Sequence, residues 1–183
     1  MNTQTRKRFY HPIQKDYVTF LTTSAESGGT HTLVEVELGP GGGNGIHYHS
    51  SFAEHFEVVQ GTLSVQLGRA THVLTPGETA VAPPDVAHRF FNASAEPVIF
   101  RVELRPGSEG FEQGLQIVYG MANDGSLTKQ GLPKNLYHLA VAVDLTESYL
   151  PGVLGLLQPL FRALARRTRR KGIEQALIAR YCT

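Results

Sequence analysis

His47 and His49 stand one residue apart, Glu54 follows them, and His88 comes later in the chain. Three imidazoles and a carboxylate form a ligand set for a divalent transition metal. Imidazole suits iron, zinc, copper and nickel, and carboxylate adds hard-ligand character. Four protein ligands on an octahedral ion leave two positions open for substrate, dioxygen or water. Structural zinc sites are tetrahedral, closed and usually rich in sulfur. The sequence has a single cysteine, Cys182, so a structural thiolate site is ruled out. The candidate metal ligands are therefore His47, His49, Glu54 and His88, for iron, manganese, nickel or zinc, and Glu54 is also the candidate catalytic base. His11, His31, His72 and His138 lack such surroundings and read as structural or surface residues.

Side chains alternate faces along a strand, so residues two apart project together. An extended segment through His47 and His49 aims both imidazoles one way and Tyr48 the other. Glu54 lies an odd number of residues beyond His49, which reverses the face in an unbroken strand. A turn or bulge is therefore expected at residues 50–53, after which Glu54, Phe56 and Val58 share the inward face. His55 has the opposite parity and reads as outward. His88 shares its parity with Phe90 and Asn92. Phe56, Phe90 and Phe100 are the candidate walls of a substrate pocket. Arg89 and Arg101, possible anion anchors by type, have outward parity.

The elements that must hold these residues are short. Segments 16–23, 31–38, 54–60, 62–67, 71–74, 79–82, 88–92 and 97–104 read as strands, punctuated by Gly61, Pro76-Gly77 and Asn92-Ala-Ser. Many short strands with regularly spaced turn residues predict a sandwich or barrel. Residues 1–15 read as a polar N-terminal arm. The run Gly-Pro-Gly-Gly-Gly-Asn-Gly at 39–45 lacks the Lys-Ser/Thr of a nucleotide-binding loop and reads as the entry to the metal-binding segment. After Pro106-Gly107 the period changes, and Phe111, Leu115, Val118 and Tyr119 recur at helical spacing. Further helices are expected from Pro133, a favoured first helical position, over 151–170 with Pro159 kinking or splitting it, and over 173–180. This extension, 107–183, is too apolar to stand free and is expected to pack on the β domain or on a second subunit.

At these residues the chain resembles the cupin superfamily. The first cupin motif is a glycine, five residues, His-x-His, three or four residues, a glutamate, six residues and a glycine. Gly41, His47, His49, Glu54 and Gly61 match it throughout. The second motif is matched by Gly77, Pro83, His88 and Asn92, with Asp85 in place of its internal glycine. Asp tolerates left-handed backbone better than most residues, so the turn is expected to survive. The resemblance covers roughly residues 30 to 105. It implies a mainly β protein, a cupin (jelly-roll-type) β-barrel over 16–106, with His47, His49, Glu54 and His88 as ligands of a metal inside. It does not imply one reaction, because cupins include oxygenases, isomerases, sugar-binding proteins and regulators.

Composition narrows the rest. A chain of 183 residues is long enough for one domain with an appendage, and needs no disulfide staple. A lone cysteine and an N-terminus without a secretory pattern predict a cytoplasmic setting. Asp144, Glu147, Pro151 and Pro159 interrupt the most apolar window, 139–161, so no membrane span is expected. Seven of the 17 basic residues fall at Arg162, Arg166, Arg167, Arg169, Arg170, Lys171 and Arg180. No aromatic residues interleave them, so a solvated helix face is expected rather than nucleic-acid binding. A homodimer is expected from barrel edges and the apolar tail. The functional expectation is a metal-dependent enzyme of oxygenase or isomerase type acting on a small polar molecule. The alternatives are a non-catalytic ligand-binding or sensor module and a barrel whose metal is purely structural.

Overall fold

The computed structural model describes residues 6–182, and residues 1–5 of the expected arm lie outside the described residues. Nine strands come first: β1 (Arg8–His11), β2 (Asp16–Thr22), β3 (Thr32–Leu38), β4 (Ala53–Gln60), β5 (Leu63–Leu67), β6 (Ala70–Leu74), β7 (Thr79–Ala82), β8 (His88–Phe91) and β9 (Val98–Arg105). The helices α1 (Glu109–Asn123), α2 (Leu136–Thr146), α3 (Gln158–Arg170) and α4 (Ile173–Tyr181) follow, with a 3-10 turn over Gly152–Leu157.

The strands form an antiparallel sheet in the order β1-β2-β3-β9-β4-β7 and a smaller one in the order β6-β5-β8. Alternation puts Val34, Val36 and Leu38 of β3 opposite Val102, Phe100 and Val98 of β9. Phe56 and Val58 of β4 meet Val102 and Phe100 from the other side. Leu63, Val65, Leu74 and Phe90 of the smaller sheet complete the same buried cluster. The two sheets thus pack face to face. They do not close through a continuous ladder: the glycine loop joins β8 only at the isolated bridges Gly43↔Phe91 and His47↔His88. The expected jelly-roll-type fold is thus two facing sheets that are not closed into a barrel. A Cβ on Gly43 would sit 2.7 Å from the Phe90 carbonyl oxygen, so only glycine allows the loop to lie this close to β8. Gly61 has φ +84, and a Cβ there would meet the Pro97 carbonyl oxygen at 2.8 Å.

Residues 8–11 are not a free arm. They form β1 on the edge of the larger sheet, where Phe9 packs edge-on against Phe20 at 6.0 Å. Four residues flanked by cations carry too short an alternation to stand out as a strand.

Ser108 caps α1 by accepting a hydrogen bond from the Phe111 N–H, and Glu109 and Glu112 complement the dipole of the first turn. The buried Glu112 carboxylate accepts hydrogen bonds from the Ser24 N–H and the Thr32 hydroxyl, each at 2.6 Å, and ties α1 to the β2–β3 connection. One face of α1 adds Phe111 and Tyr119 to the main cluster. Another packs Ile117 and Met121 with Val141 of α2 and Leu177 of α4 in a second cluster. The extension therefore has its own core and rests on the sheets through α1.

The second helix begins at Leu136, not at Pro133. Asn135 is its cap, accepting from the Tyr137 and His138 N–H groups, while Pro133 bridges Leu127 in the preceding loop. The segment 151–170 is split rather than kinked: Pro159 lies in the first turn of α3, where a missing N–H costs no hydrogen bond. Part of the basic run is paired internally, with Arg169 on Asp144 and Glu174, and Arg180 on Asp124. Among the described residues no helix is long and apolar enough to cross a membrane.

Candidate metal centre

The segment carrying His47 and His49 is held from both sides. His47 exchanges backbone hydrogen bonds with His88 of β8 at 3.0 and 2.7 Å, and Tyr48 does the same with Tyr149, just after α2, at 3.0 Å each way. Ser50 and Ser51 then bend the chain, Phe52 turns inward beneath the ring of His49 (centroids 4.4 Å apart, stacked), and β4 starts at Ala53 with Glu54 inward. This turn resets the parity as the spacing required. Asp85 takes φ 63, the left-handed conformation expected of the glycine it replaces, and its N–H donates to the His49 carbonyl at 2.7 Å. Asn92 pins the end of β8: its amide donates to the Leu38 and Glu96 carbonyls, and its oxygen accepts from Ser94. Asn92-Ala-Ser94 is thus a side-chain-closed turn.

One potential ligand atom from each of His47, His49, Glu54 and His88 lies within 4.8 Å of all the others. The outer face of each imidazole is occupied. The Nδ1 atoms of His47, His49 and His88 donate to the carbonyls of Gly45 (2.8 Å), Thr146 (3.1 Å) and Val86 (2.8 Å). Carbonyl oxygens only accept, so each ring carries a proton on Nδ1 and turns Nε2 inward, with a free lone pair there on His47 and His49. The Nε2 atoms of His47 and His49 then face each other at 3.1 Å, and His88 Nε2 faces Glu54 Oε2 at 3.0 Å. Inward nitrogens converging with a carboxylate suit a cation between them. The donor set, its inward aim and its outer hydrogen bonds all fit a divalent ion that these four residues could hold.

The electrostatics agree. Burial pulls the His47 pKa down to about 3, helped by repulsion from the His49 and His88 rings. Burial also lowers that of His49. Burial alone would raise the Glu54 carboxyl, but the hydrogen bond from His88 and the surrounding imidazoles outweigh it and hold the carboxyl at about 2. Burial opposes the charged form of His88 as well, yet the Glu54 hydrogen bond and charge raise it overall. The depressed Glu54 value contributes stability above the ordinary 4.5 that is lost as pH falls toward about 2. His47 and His49 are already neutral at neutral pH, so His88 is the ring that must surrender a proton to a metal. Metal affinity is expected to rise with pH through the window above the ordinary histidine value, with about one proton released per ion. Calorimetry in buffers of different ionisation enthalpy checks this, and an affinity independent of pH over that window contradicts it.

The helical extension takes part in this site. The His49 Nδ1 acceptor, Thr146, is the last residue of α2. Glu147, left-handed at φ 49, accepts from the Ser50 and Ser51 hydroxyls at 2.8 and 2.7 Å. Those serines form the turn between His49 and Glu54. Glu147→Ala is expected to weaken metal affinity about 10- to 100-fold, the usual effect of losing a residue that orients ligands, with the circular dichroism spectrum unchanged. An unaltered affinity by competitive titration contradicts this role.

A cavity of about 290 Å³ opens beside the four residues, between the sheets and α1 and α2. His47 and Glu54 line it, along with Val34, Val36 and Val102 of the sheet and Leu115, Leu139 and Val143 of the helices. Phe90 is also in its wall. Phe56 and Phe100 are not: they are 1% and 0% exposed, packed on each other at 6.5 Å within the core. Inward parity put all three phenylalanines on one face of the fold, but not at one depth. Arg89 and Arg101 point outward to Gln66 and Glu35, and His55 faces the same outer surface as Arg101 and Glu103. Thr146, Glu147 and a buried Asp16–Tyr119 pair in the cavity wall escaped the sequence reading. Of these only Asp16 left a signal, an ionisable residue in the core parity of Val18 and Phe20.

A two-sheet β fold with three histidines and a glutamate clustered beside a cavity that His47 and Glu54 line defines the class. Residues 34–105 match the family model of the cupin domain, and this region has the cupin fold. Among solved structures the chain is similar to an RmlC-like cupin from Shewanella frigidimarina NCIMB 400, at 19% identity and TM-score 0.51, over 61% of this chain and 93% of that one. It is also similar to a sugar phosphate isomerase of a cupin superfamily from Silicibacter pomeroyi DSS-3, at 22% identity and TM-score 0.49, over 55% of this chain and 71% of that one. A third is the cupin domain of an XRE family transcriptional regulator from Enterobacter cloacae, at 21% identity and TM-score 0.45, over 49% of this chain and 95% of that one. None of the curated proteins matches the chain.

Proposed function

We propose that this chain is a metal-dependent cupin enzyme of the oxygenase or isomerase type, with His47, His49, Glu54 and His88 as ligands of iron, manganese, nickel or zinc. The convergence of three inward Nε2 atoms and one carboxylate, beside a cavity that His47 and Glu54 line, carries the reading. A divalent ion held there supplies Lewis acidity and open coordination positions. The chain's own groups do the rest. The apolar walls exclude water and orient the substrate. In the isomerase version Glu54, released from the metal, takes a proton at a carboxylate oxygen from the hydroxyl-bearing carbon beside a carbonyl and returns it to the carbonyl carbon, while the hydroxyl proton passes to the former carbonyl oxygen. The apolar lining also narrows the substrate from a purely polar molecule to one with an apolar portion.

The test is turnover by protein reloaded separately with each of the four metals, on a panel of small keto, hydroxy and diketo compounds. Oxygen uptake reports the oxygenase and proton exchange by NMR reports the isomerase. Activity with one metal, absent in Glu54→Gln, supports the reading. Metal-dependent binding with no turnover of any bound compound favours a ligand-binding module instead. We also propose that the exposed Val153, Leu156 and Leu160 contact a second copy of the chain. A monomeric mass by solution scattering contradicts that.

A further inference from the structure

The cavity has a second polar site, on β2 and α1. Asp16 opens β2 with the inward parity of Val18 and Phe20 and is fully buried. Its Oδ2 accepts a hydrogen bond from the Tyr119 hydroxyl at 2.7 Å, while its buried Oδ1 has no hydrogen-bond partner. Both residues line the cavity that His47 and Glu54 line. His11 stands opposite Asp16 in the β1–β2 ladder, with its ring edge-on to Tyr119 at 4.9 Å. Its Nδ1 accepts from the Gln14 N–H.

Glu112, a buried carboxylate kept for architecture, takes two hydrogen bonds on Oε1, from Ser24 and Thr32, and has no buried oxygen left unpartnered. Asp16 instead leaves one oxygen unpartnered in a cavity wall, and burial pushes its carboxyl up to about 7. Such a group costs stability at neutral pH, because the unfolded chain ionises it freely. The glycine loop gives its separation from the metal centre. Gly43 donates to the Gln14 carbonyl near Asp16 and pairs with Phe91, whereas His47 pairs with His88 four residues further along. Phe91 and His88 stand three residues apart on β8, so these two pairs lie roughly 10 Å apart.

We propose that Asp16, held by Tyr119, anchors the far end of the ligand, and that this end carries a hydrogen-bond donor, a hydroxyl or an amine. The ligand is then two-ended: a metal-chelating oxygen head, an apolar middle along Val34, Val36 and Leu115, and a donor tail on Asp16 Oδ1. This inference rests on the metal-centred reading.

Straight-chain hydroxamic acids of graded length, ending in methyl, hydroxyl or amine, test it by calorimetry on the zinc-loaded full chain. At the fitting length a hydroxyl or amine end is expected to bind about tenfold more tightly than a methyl end. In Asp16→Asn the Tyr119 hydroxyl takes the amide oxygen and the amide NH2 faces the ligand, so the preference for the amine end, a donor only, is expected to fall to about twofold or less. Tyr119→Phe should reduce it by a smaller factor. Equal binding of the three ends at every length in wild type, or a preference for the amine end that survives in Asp16→Asn, overturns the anchor. His49→Ala separates the two ideas. Loss of every hydroxamate there, whatever the tail, keeps the metal centre standing even if the anchor falls. Undiminished binding in His49→Ala overturns the metal-centred reading, and the two-ended ligand with it.

Discussion

His49→Ala is expected to lose metal binding and, with it, the thermal stabilisation that added metal gives the wild type. His49 is the hub of the site. Its Nε2 lies 3.1 Å from that of His47 and 3.6 Å from Glu54 Oε1, its Nδ1 is fixed by the Thr146 carbonyl, and its ring stacks on Phe52. Losing a residue that merely orients a ligand costs 10- to 100-fold in affinity, so losing the ligand itself should cost more than about 100-fold. Metal at about 1,000 times its Kd stabilises the native state by roughly 4 kcal/mol. A melting curve with and without excess zinc or nickel therefore rises by several degrees in wild type and stays level in the mutant. An equal rise in both proteins places the bound ion elsewhere.

Phe100→Ala is expected to destabilise the fold by about 3–5 kcal/mol, the range for truncating a buried aromatic. Phe100 is 0% exposed, sits across from Val36 on one side and Val58 on the other, and packs edge-on against Phe90 at 5.1 Å. Domains of this kind have about 5–15 kcal/mol in total, so the variant would be close to its limit at body temperature. The midpoint of urea denaturation reads the loss. A shift below about 1 kcal/mol, combined with a large loss of ligand affinity, would return Phe100 to the cavity wall that strand parity assigned it.

Local patterns were legible in the sequence and distant contacts were not. Residues 79–82 could be read directly as β7 because alternation and flanking turns are contained within the strand. The parity argument required a turn between His49 and Glu54, and the chain bends at Ser50 and Ser51. Asp85 was legible as a left-handed residue because short-range sterics decide it. Depth was not legible. Phe56, Phe90 and Phe100 share one parity, yet only Phe90 reaches the cavity. The start of α2 was misread because proline marks the probable first turn only when no better cap follows, and Asn135 follows. The helical extension's part in the site depends on pairs far apart in sequence. His49 and Thr146 are separated by 97 positions and Asp16 and Tyr119 by 103, and no periodicity spans such distances.

These pairs also change the role of the extension. It is not an appendage to a finished cupin domain: α1 and α2 roof the cavity, and the end of α2 orients a candidate ligand. The strands and the glycine loop carry the four inward groups, and the extension adds the outer hydrogen bond on His49 and about half of the cavity lining.

The most direct test of the central claim is elemental analysis of the purified wild-type chain, before and after dialysis against a divalent metal. Close to one iron, manganese, nickel or zinc per chain is the predicted result. No retained metal, before or after loading, would contradict the account and leave His47, His49, Glu54 and His88 as a buried polar cluster with no ion to hold.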